Sequence, residues 1–523
     1  MPDLLHRQTK IQEKRKQTPF RDFLLEVASW YTINLHKNQS LLTRYPNNWR
    51  TNHIISEKEY SALWNQINDN NYNLTVWFFE QFHYLRSTNK HPNILVFKQN
   101  ENSDFSDVVF GAKNAYLSFT LWNNVENIFY STIVYTHCTN VYNSVKVTNN
   151  SQNIYYSKSV TQSFNVYYSR YINNSSDIRF SSNLTWCNNC LMCDNLINQK
   201  YCIANQPYDK TTYEYKKNEI LLNKSSFDNY FAQVNNKAVN HDADNSYGEW
   251  INFSSNIENG YYVTRATNGR NMMFVDGINH ANNYYDIFEA GVNSDDFYAV
   301  SNAGTWANHL YCSRQVESSS HLFYCYYMEN CSYCLGCLGL KNVSYCILNK
   351  QYTKGDRHNM VDKIFSQMEK QWLLWSVWPG WINPFYFNDT AAYLIDPSFT
   401  KEEVTKLWYL WRDDAIKVDI PTWAQVVKAS DLGDYEWWVT VSPSSWANAK
   451  DLDNHKDSSV ALLSQNDDKK RHIDPTILNK IIVDEQGNYY RIVKMEYDFL
   501  IKHSLPLPRK HWLDRMKDNF KIV

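Results

Sequence analysis

Asn153-Ile154-Tyr155-Tyr156-Ser157 is followed twelve residues later by Asn165-Val166-Tyr167-Tyr168-Ser169, and twelve after that by Asp177-Ile178-Arg179-Phe180-Ser181. Upstream, Asn127-Ile128-Phe129-Tyr130-Ser131 and Asn140-Val141-Tyr142-Asn143-Ser144 stand thirteen residues apart. The aliphatic position runs Ala115, Ile128, Val141, Ile154, Val166, Ile178, Cys190, Cys202, at spacings of 13, 13, 13, 12, 12, 12 and 12. A column of Asn or Asp precedes it from Asn114 to Asn189, and a Ser column follows it from Ser118 to Ser181. An α-helix of 3.6 residues per turn cannot keep three such columns aligned at these spacings. One coil per repeat can, with equivalent residues stacked at about 4.8 Å. The stretch is therefore read as a β-solenoid. Its aliphatic column fills the interior, its Asn column passes amide hydrogen bonds along the axis, and its Ser column sits at a corner.

A second copy lies 144 residues on. Cys187, Cys190, Cys193 and Cys202 map onto Cys331, Cys334, Cys337 and Cys346, Asn205 onto Asn349 and Tyr208 onto Tyr352. At the same offset Ile178, Val166, Ile154, Val141 and Ile128 fall on Leu322, Leu310, Tyr298, Tyr285 and Met272, while His309 and His321 enter the Asn column. The fold class is mainly β: two tandem β-solenoids with α-rich ends. Residues 1–105 read as an α-rich lead-in, with helices over Phe20–Leu35 and Thr75–Leu85. The first solenoid occupies 106–205 and the second 251–350. Cap helices close them, near Tyr213–Gln233 within 206–250 and near Met360–Trp375 within 351–375. Residues 376–523 form an α+β region. It has a helix from Thr400 to Trp411, a loop over Asp451–Arg471, a hairpin over Lys480–Ile492 and a helix over Met495–His503.

The 523 residues carry 39 Tyr, 25 Phe and 19 Trp, which argues against disorder. There are only 13 Gly, so few positions are expected at positive φ. A net charge of −2 gives no general basic field, and nucleic acid is not implied. No run is long and apolar enough to span a membrane. The polar, basic start lacks the apolar core of a signal peptide, which favours the cytoplasm and reduced thiols.

Phe78-Phe79-Glu80-Gln81-Phe82, Asn102-Ser103-Asp104-Phe105, the rungs with their Tyr-Cys-Ile-x-Asn-x-x-Tyr ends, Tyr490-Arg491-Ile492 and Leu505-Pro506-Leu507-Pro508-Arg509-Lys510-His511 form a pattern over most of 77–523. It resembles a family of uncharacterised Cys-rich repeat proteins of candidate-phyla-radiation bacteria. The resemblance implies the solenoid architecture and a cytoplasmic location. It also implies a treble-clef-like zinc end, with cysteines around the hairpin before Arg491. Here that hairpin, Val483 to Gly487, holds none, so the C-terminus is a degenerate version. Trp408 stands where the pattern calls for a small residue such as Gly. The resemblance offers one explanation: some bacteria of this group read UGA as Gly, and the Trp codons would show it.

Two features bear on function. Cys187, Cys190, Cys193 and Cys202, with Cys331, Cys334, Cys337 and Cys346, could each supply four thiolates to a structural zinc. Because they continue the interior columns, buried free thiols are the first reading, ahead of zinc and disulfides. Cys187 and Cys193 are expected to point away from Cys190. No other cofactor is implied. The column Tyr116, Phe129, Tyr142, Tyr155 and Tyr167 faces away from the interior and forms an aromatic ladder. It could bind a protein or glycan, or pack on another part of the chain. His309 and His321 with Cys312 hint at a metal, but stacking of polar residues in the turn column explains them better. No nucleotide, hydrolase or metalloprotease motif occurs. The reading is a non-catalytic binding or scaffolding protein, able to contact a protein or glycan or to form a homo-oligomer. The alternative is a glycan-active β-helix enzyme, which needs aligned acidic and basic residues in a groove. Third stands nucleic-acid binding through Arg7, Lys10, Lys14, Arg15 and Lys16.

Overall fold

The structure is a computed structural model that describes residues 17–38, 41–46, 53–98, 100–222, 227–276, 281–290, 294–304, 306–371, 373–374, 376–413, 420–441 and 468–520. The basic N-terminal segment and residues 451–467 of the expected charged loop lie outside them.

In the first coil, every third residue adopts the left-handed conformation. Over one rung these are Asn153, Tyr156, Ser159, Gln162 and again Asn165, with φ between 47° and 57°. The unit is thus a triplet of one inward residue, one outward residue and one left-handed residue, and four triplets close a square coil. Ile154, Ser157, Val160 and Ser163 point inward and are fully buried. The thirteen-residue rungs differ by one extra left-handed residue at one corner: Asn123-Asn124, Thr136-His137 and Asn149-Asn150. From 162 onward a single residue does the same work, at Gln162, Asn174, Trp186 and Asn198.

The expectation of few positive-φ positions is therefore wrong. Asn supplies many of them, because its short amide tolerates the left-handed region better than most side chains. Stacking also gives each amide a partner. Asn114 Nδ2 donates to Asn127 Oδ1 at 3.0 Å, Asn127 to Asn140 at 2.9 Å, Asn140 to Asn153 at 3.0 Å and Asn153 to Asn165 at 2.9 Å.

Two parallel ladders run up opposite sides of the coil. One pairs Val141 with Ile154 and Ile154 with Val166; the other pairs Val147 with Val160 and Val160 with Ile172. The remaining two sides carry serine. These serines are not at corners but inside. Ser157 Oγ donates to Tyr155 O at 2.9 Å and accepts from Ser169 N–H at 3.2 Å, and Ser144 and Ser169 repeat the arrangement. A side of only three residues leaves these amides unpaired by the two ladders, and the hydroxyl supplies the missing acceptor.

The second coil, Tyr247 to Ile347, repeats the plan, but the 144-residue offset is not constant. Phe297 pairs with Leu310 and Tyr284 with Phe297 in the inner column, one place before the residues the offset selects. Tyr285 and Tyr298 belong instead to an outward stack with Tyr311 and Phe323, with ring centroids 4.6–5.4 Å apart. Met272 pairs with Ile287, in the next inward column. One thirteen-residue step, from Asp296 to His309, shifts the register. The two open ends are closed identically. Asn205 accepts from Asp194 N–H and donates to Asp194 O, at 2.9 Å each, and Asn349 does so with Leu338 at 2.8 Å. This explains why both copies keep Asn there: its amide completes an exposed strand edge.

The coils pack side by side. Tyr171 stacks on Tyr262 at 6.1 Å, and Tyr135 Oη donates to Glu289 across the seam. The N-terminal region wedges in beside them. Tyr31 lies 5.0 Å from Phe288 and its hydroxyl accepts from Thr120 at 2.8 Å. Its first helix, Phe20–Glu26, is shorter than expected, and its second, Phe78–Thr88, begins and ends three residues later than expected, with paired strands at His36–Asn38 and Leu41–Thr43 between them. Lys210–Leu222 follows the first coil, with Tyr213 5.6 Å from Tyr201 of the last rung, and Lys354–Lys370 follows the second. The helix from Thr400 stops at Lys406. In the C-terminal region Lys480–Val483 pairs with Tyr489–Tyr490 and a helix spans Lys494–Lys502.

Candidate functional site

The aromatic ladder is covered from within the chain. Phe129, Tyr142, Tyr155 and Tyr167 are buried, and Tyr116 is half-buried. The Lys494–Lys502 helix lies on them: Phe499 is 4.4 Å from Tyr142 and 6.1 Å from Tyr155, ring centre to ring centre. Glu496 accepts from Asn143 Nδ2 at 3.1 Å and pairs with the buried Arg515 at 2.7 Å. The face that could have met a partner is filled by the chain's own C-terminal region, which buries its apolar side there.

The cysteines differ from expectation in direction. Cys187, Cys190 and Cys193 occupy three successive sides of one rung and all point into the coil, because successive inward residues are three apart. Cys202 stacks on Cys190. In the second coil Cys331, Cys334, Cys337 and Cys346 do the same, joined by Cys325. All eleven cysteines are buried and unpaired by disulfide. Among the described residues, no group of three or more His, Cys, Asp or Glu is arranged to hold a metal ion. His309 accordingly sits in the ladder, 3.1 Å from Asp296 and 4.6 Å from the His321 ring. Asp296 raises the pKa of His309, whereas burial lowers that of His321 to about 4. Cys312 faces elsewhere, toward the Ser376 carbonyl.

What stays open is the next column. Asn153, Asn165, Asp177 and Asn189 run along one wall of a groove of about 800 Å³. The Lys210–Leu222 helix supplies Tyr213 and Tyr215. The end of the Lys494–Lys502 helix supplies His503, and Trp438 lies beside it. The ladder polarises in one direction and ends on a carboxylate, since Asn165 Nδ2 donates to Asp177 Oδ1 at 2.8 Å. Each amide keeps a second N–H for a ligand, while the second lone pair of Asn165 Oδ1 accepts from Tyr167 Oη at 3.4 Å. Tyr167 and Arg179, one place after the inward column, form the base of the groove. Tyr167 Oη is 2.7 Å from His503 Nδ1, and the Arg179 guanidinium lies 4.6 Å from the Tyr167 ring centre and donates to His503 O at 3.2 Å. Burial, with Lys502 and Arg179 nearby, lowers the His503 pKa to about 4, so the imidazole is neutral at pH 7.

Compared with family models, curated proteins and solved structures, the chain matches none. The groove therefore stands on its own geometry. Sequence reading picked out its Asn column and Tyr167. It missed His503, Trp438 and Tyr215, which arrive from segments with no repeat to place them. Arg179 was legible only as the residue that continues the tyrosine column.

Proposed function

We propose that this is a non-catalytic binding protein whose groove takes an extended, uncharged polar polymer of the glycan class. The observation that carries this reading is the open row Asn153, Asn165, Asp177, Asn189. It repeats donors and acceptors at about the 4.8 Å rung spacing, close to the length of one sugar ring. Amides and a carboxylate suit hydroxyl groups. Tyr215, exposed at the rim, and Trp438 offer faces for stacking on the sugar. The two coils form a rigid support, which lowers the entropy cost of binding.

The alternative of a glycan-active enzyme requires a free acid and base facing one another. In the groove Asp177 is engaged by Asn165, and Arg179 by His503 and Tyr167. Binding without chemistry fits those arrangements better. Eleven reduced thiols fit a cytoplasmic protein, and the coil and cysteine content fit the Cys-rich repeat family. No described helix is long and apolar enough to cross a membrane. Calorimetry of the full chain with cello-, laminari-, xylo- and chito-hexaose tests the reading. Binding of one of them, weakened at least tenfold by Asn165→Leu, is expected. Absence of binding to all four refutes it, and release of new reducing ends would establish the enzyme instead.

A further inference from the structure

The seam between the coils holds a cavity of about 50 Å³, separate from the groove. By the measure in which one water needs about 10–15 Å³, it has room for three to five small groups. Much of its wall is apolar, formed by Phe97, Trp122 and Val316 among others. Among its polar lining, two acceptors are left without donors. Gln315 is 1% exposed, and its Oε1 is buried with no hydrogen-bond partner, while its Nε2 is committed to Asn302 Oδ1 at 3.0 Å. Asp276 Oδ1 is likewise buried and unpartnered. Glu289, also on the wall, accepts from Tyr135 Oη and Asn302 Nδ2.

Nearby, Lys146 is the counter-charge. Its ammonium lies 5.1 Å from the Tyr135 ring centre and makes no hydrogen bond. Asp276 and Glu289 outnumber it. Burial raises the Glu289 pKa to about 7, and Lys146 and the Tyr135 hydroxyl oppose that rise. Buried acceptors without donors are costly, of the order of 1–3 kcal/mol each, and a donor-rich guest removes that cost. A bare metal ion needs oxygen ligands around it, which an apolar wall does not offer. An ammonium on a short hydrocarbon tail needs donors met at one end and apolar contact at the other, and the aromatic rings favour its charge.

We infer that this seam cavity binds a small organic ammonium, its N–H groups directed at Gln315 Oε1, Asp276 and Glu289, its alkyl part against Trp122, Phe97 and Val316. The test is calorimetry and saturation-transfer NMR on the full chain with n-propylammonium and with 1-propanol, its uncharged counterpart of equal length. One propylammonium per chain is expected, bound at least tenfold more tightly than propanol. Gln315→Met, similar in shape without the amide acceptor, should weaken it at least tenfold. Equal binding of amine and alcohol, or no binding of the amine, overturns the proposal. So does unchanged affinity in a folded Gln315→Met chain. If that variant fails to fold, the amine–alcohol comparison on the unaltered protein decides alone.

Discussion

Replacing Ser157 by Ala isolates the interaction on which the square coil depends. Ser157 is fully buried in the first coil. Its hydroxyl donates to Tyr155 O and accepts from Ser169 N–H. Tyr155 O keeps a second donor, Tyr168 N–H at 3.0 Å, so it is not orphaned by the change. Ser169 N–H loses its acceptor inside the coil, where no water can replace it. A buried donor left unpaired costs about 1–3 kcal/mol, and about 2 kcal/mol is expected here. If that loss falls on local opening, exchange protection of the Ser169 amide drops about thirtyfold, at 1.4 kcal/mol per factor of ten. Urea unfolding followed by fluorescence gives the global figure, and hydrogen exchange of peptides covering Ser169 gives the local one. Ser157→Cys is the control. The chain itself puts Cys193 in this column, where its sulfur accepts from Asn205 N–H at 3.4 Å. The Cys variant should lose less than half of what Ala loses. Alanine behaving like the unaltered chain, or cysteine failing as badly as alanine, would refute the view that the column is selected for an acceptor.

Three further outcomes are expected. Trp408 has φ 66° and is 73% exposed just beyond the Lys401–Lys406 helix, where Tyr409 N–H returns to Val404 O at 3.1 Å. Trp408→Gly should raise stability by about 1 kcal/mol in thermal or urea unfolding, and a loss would show that the indole has a role of its own. Glu289 is protonated up to about pH 7 when folded but only to about 4.5 when unfolded, so it binds more protons when folded and stability falls as pH rises through that window. The advantage of Glu289→Gln over the unaltered chain should therefore grow from pH 4.5 to pH 8, by about 3 kcal/mol; a pH-independent difference would contradict the burial of that charge. Finally, a thiol reagent should modify few of the eleven buried cysteines in the native chain and all of them in denaturant. Zinc released at one or more equivalents per chain would favour the structural-zinc reading over free thiols.

The coil was legible in the amino-acid sequence. Its period, the interior column from Ile128 to Cys202, the hydrogen-bonded Asn ladder and the duplication marked by the cysteines were all legible, because stacking makes each rung repeat the demands of the one before. Two local features were misread for one reason. Period alone does not reveal that the repeating unit is a triplet, so Asn was not recognised as the left-handed residue and Ser was placed at a corner rather than inside. The same omission turned Cys187 and Cys193 away from Cys190. A single extra residue between Asp296 and His309 then moved Tyr285 and Tyr298 from the coil's interior column to its outward stack, where both remain buried. Tertiary structure alone decided what the faces do. Nothing in the tyrosine column says that Phe499 will cover it, nor that Trp438 and His503 will complete a groove beside the amides. Those contacts join segments about 250 to 360 residues apart by burial of apolar area, which is non-directional and leaves no period in the chain. The repeat fixes a surface, and non-repeating segments choose which part of it remains open.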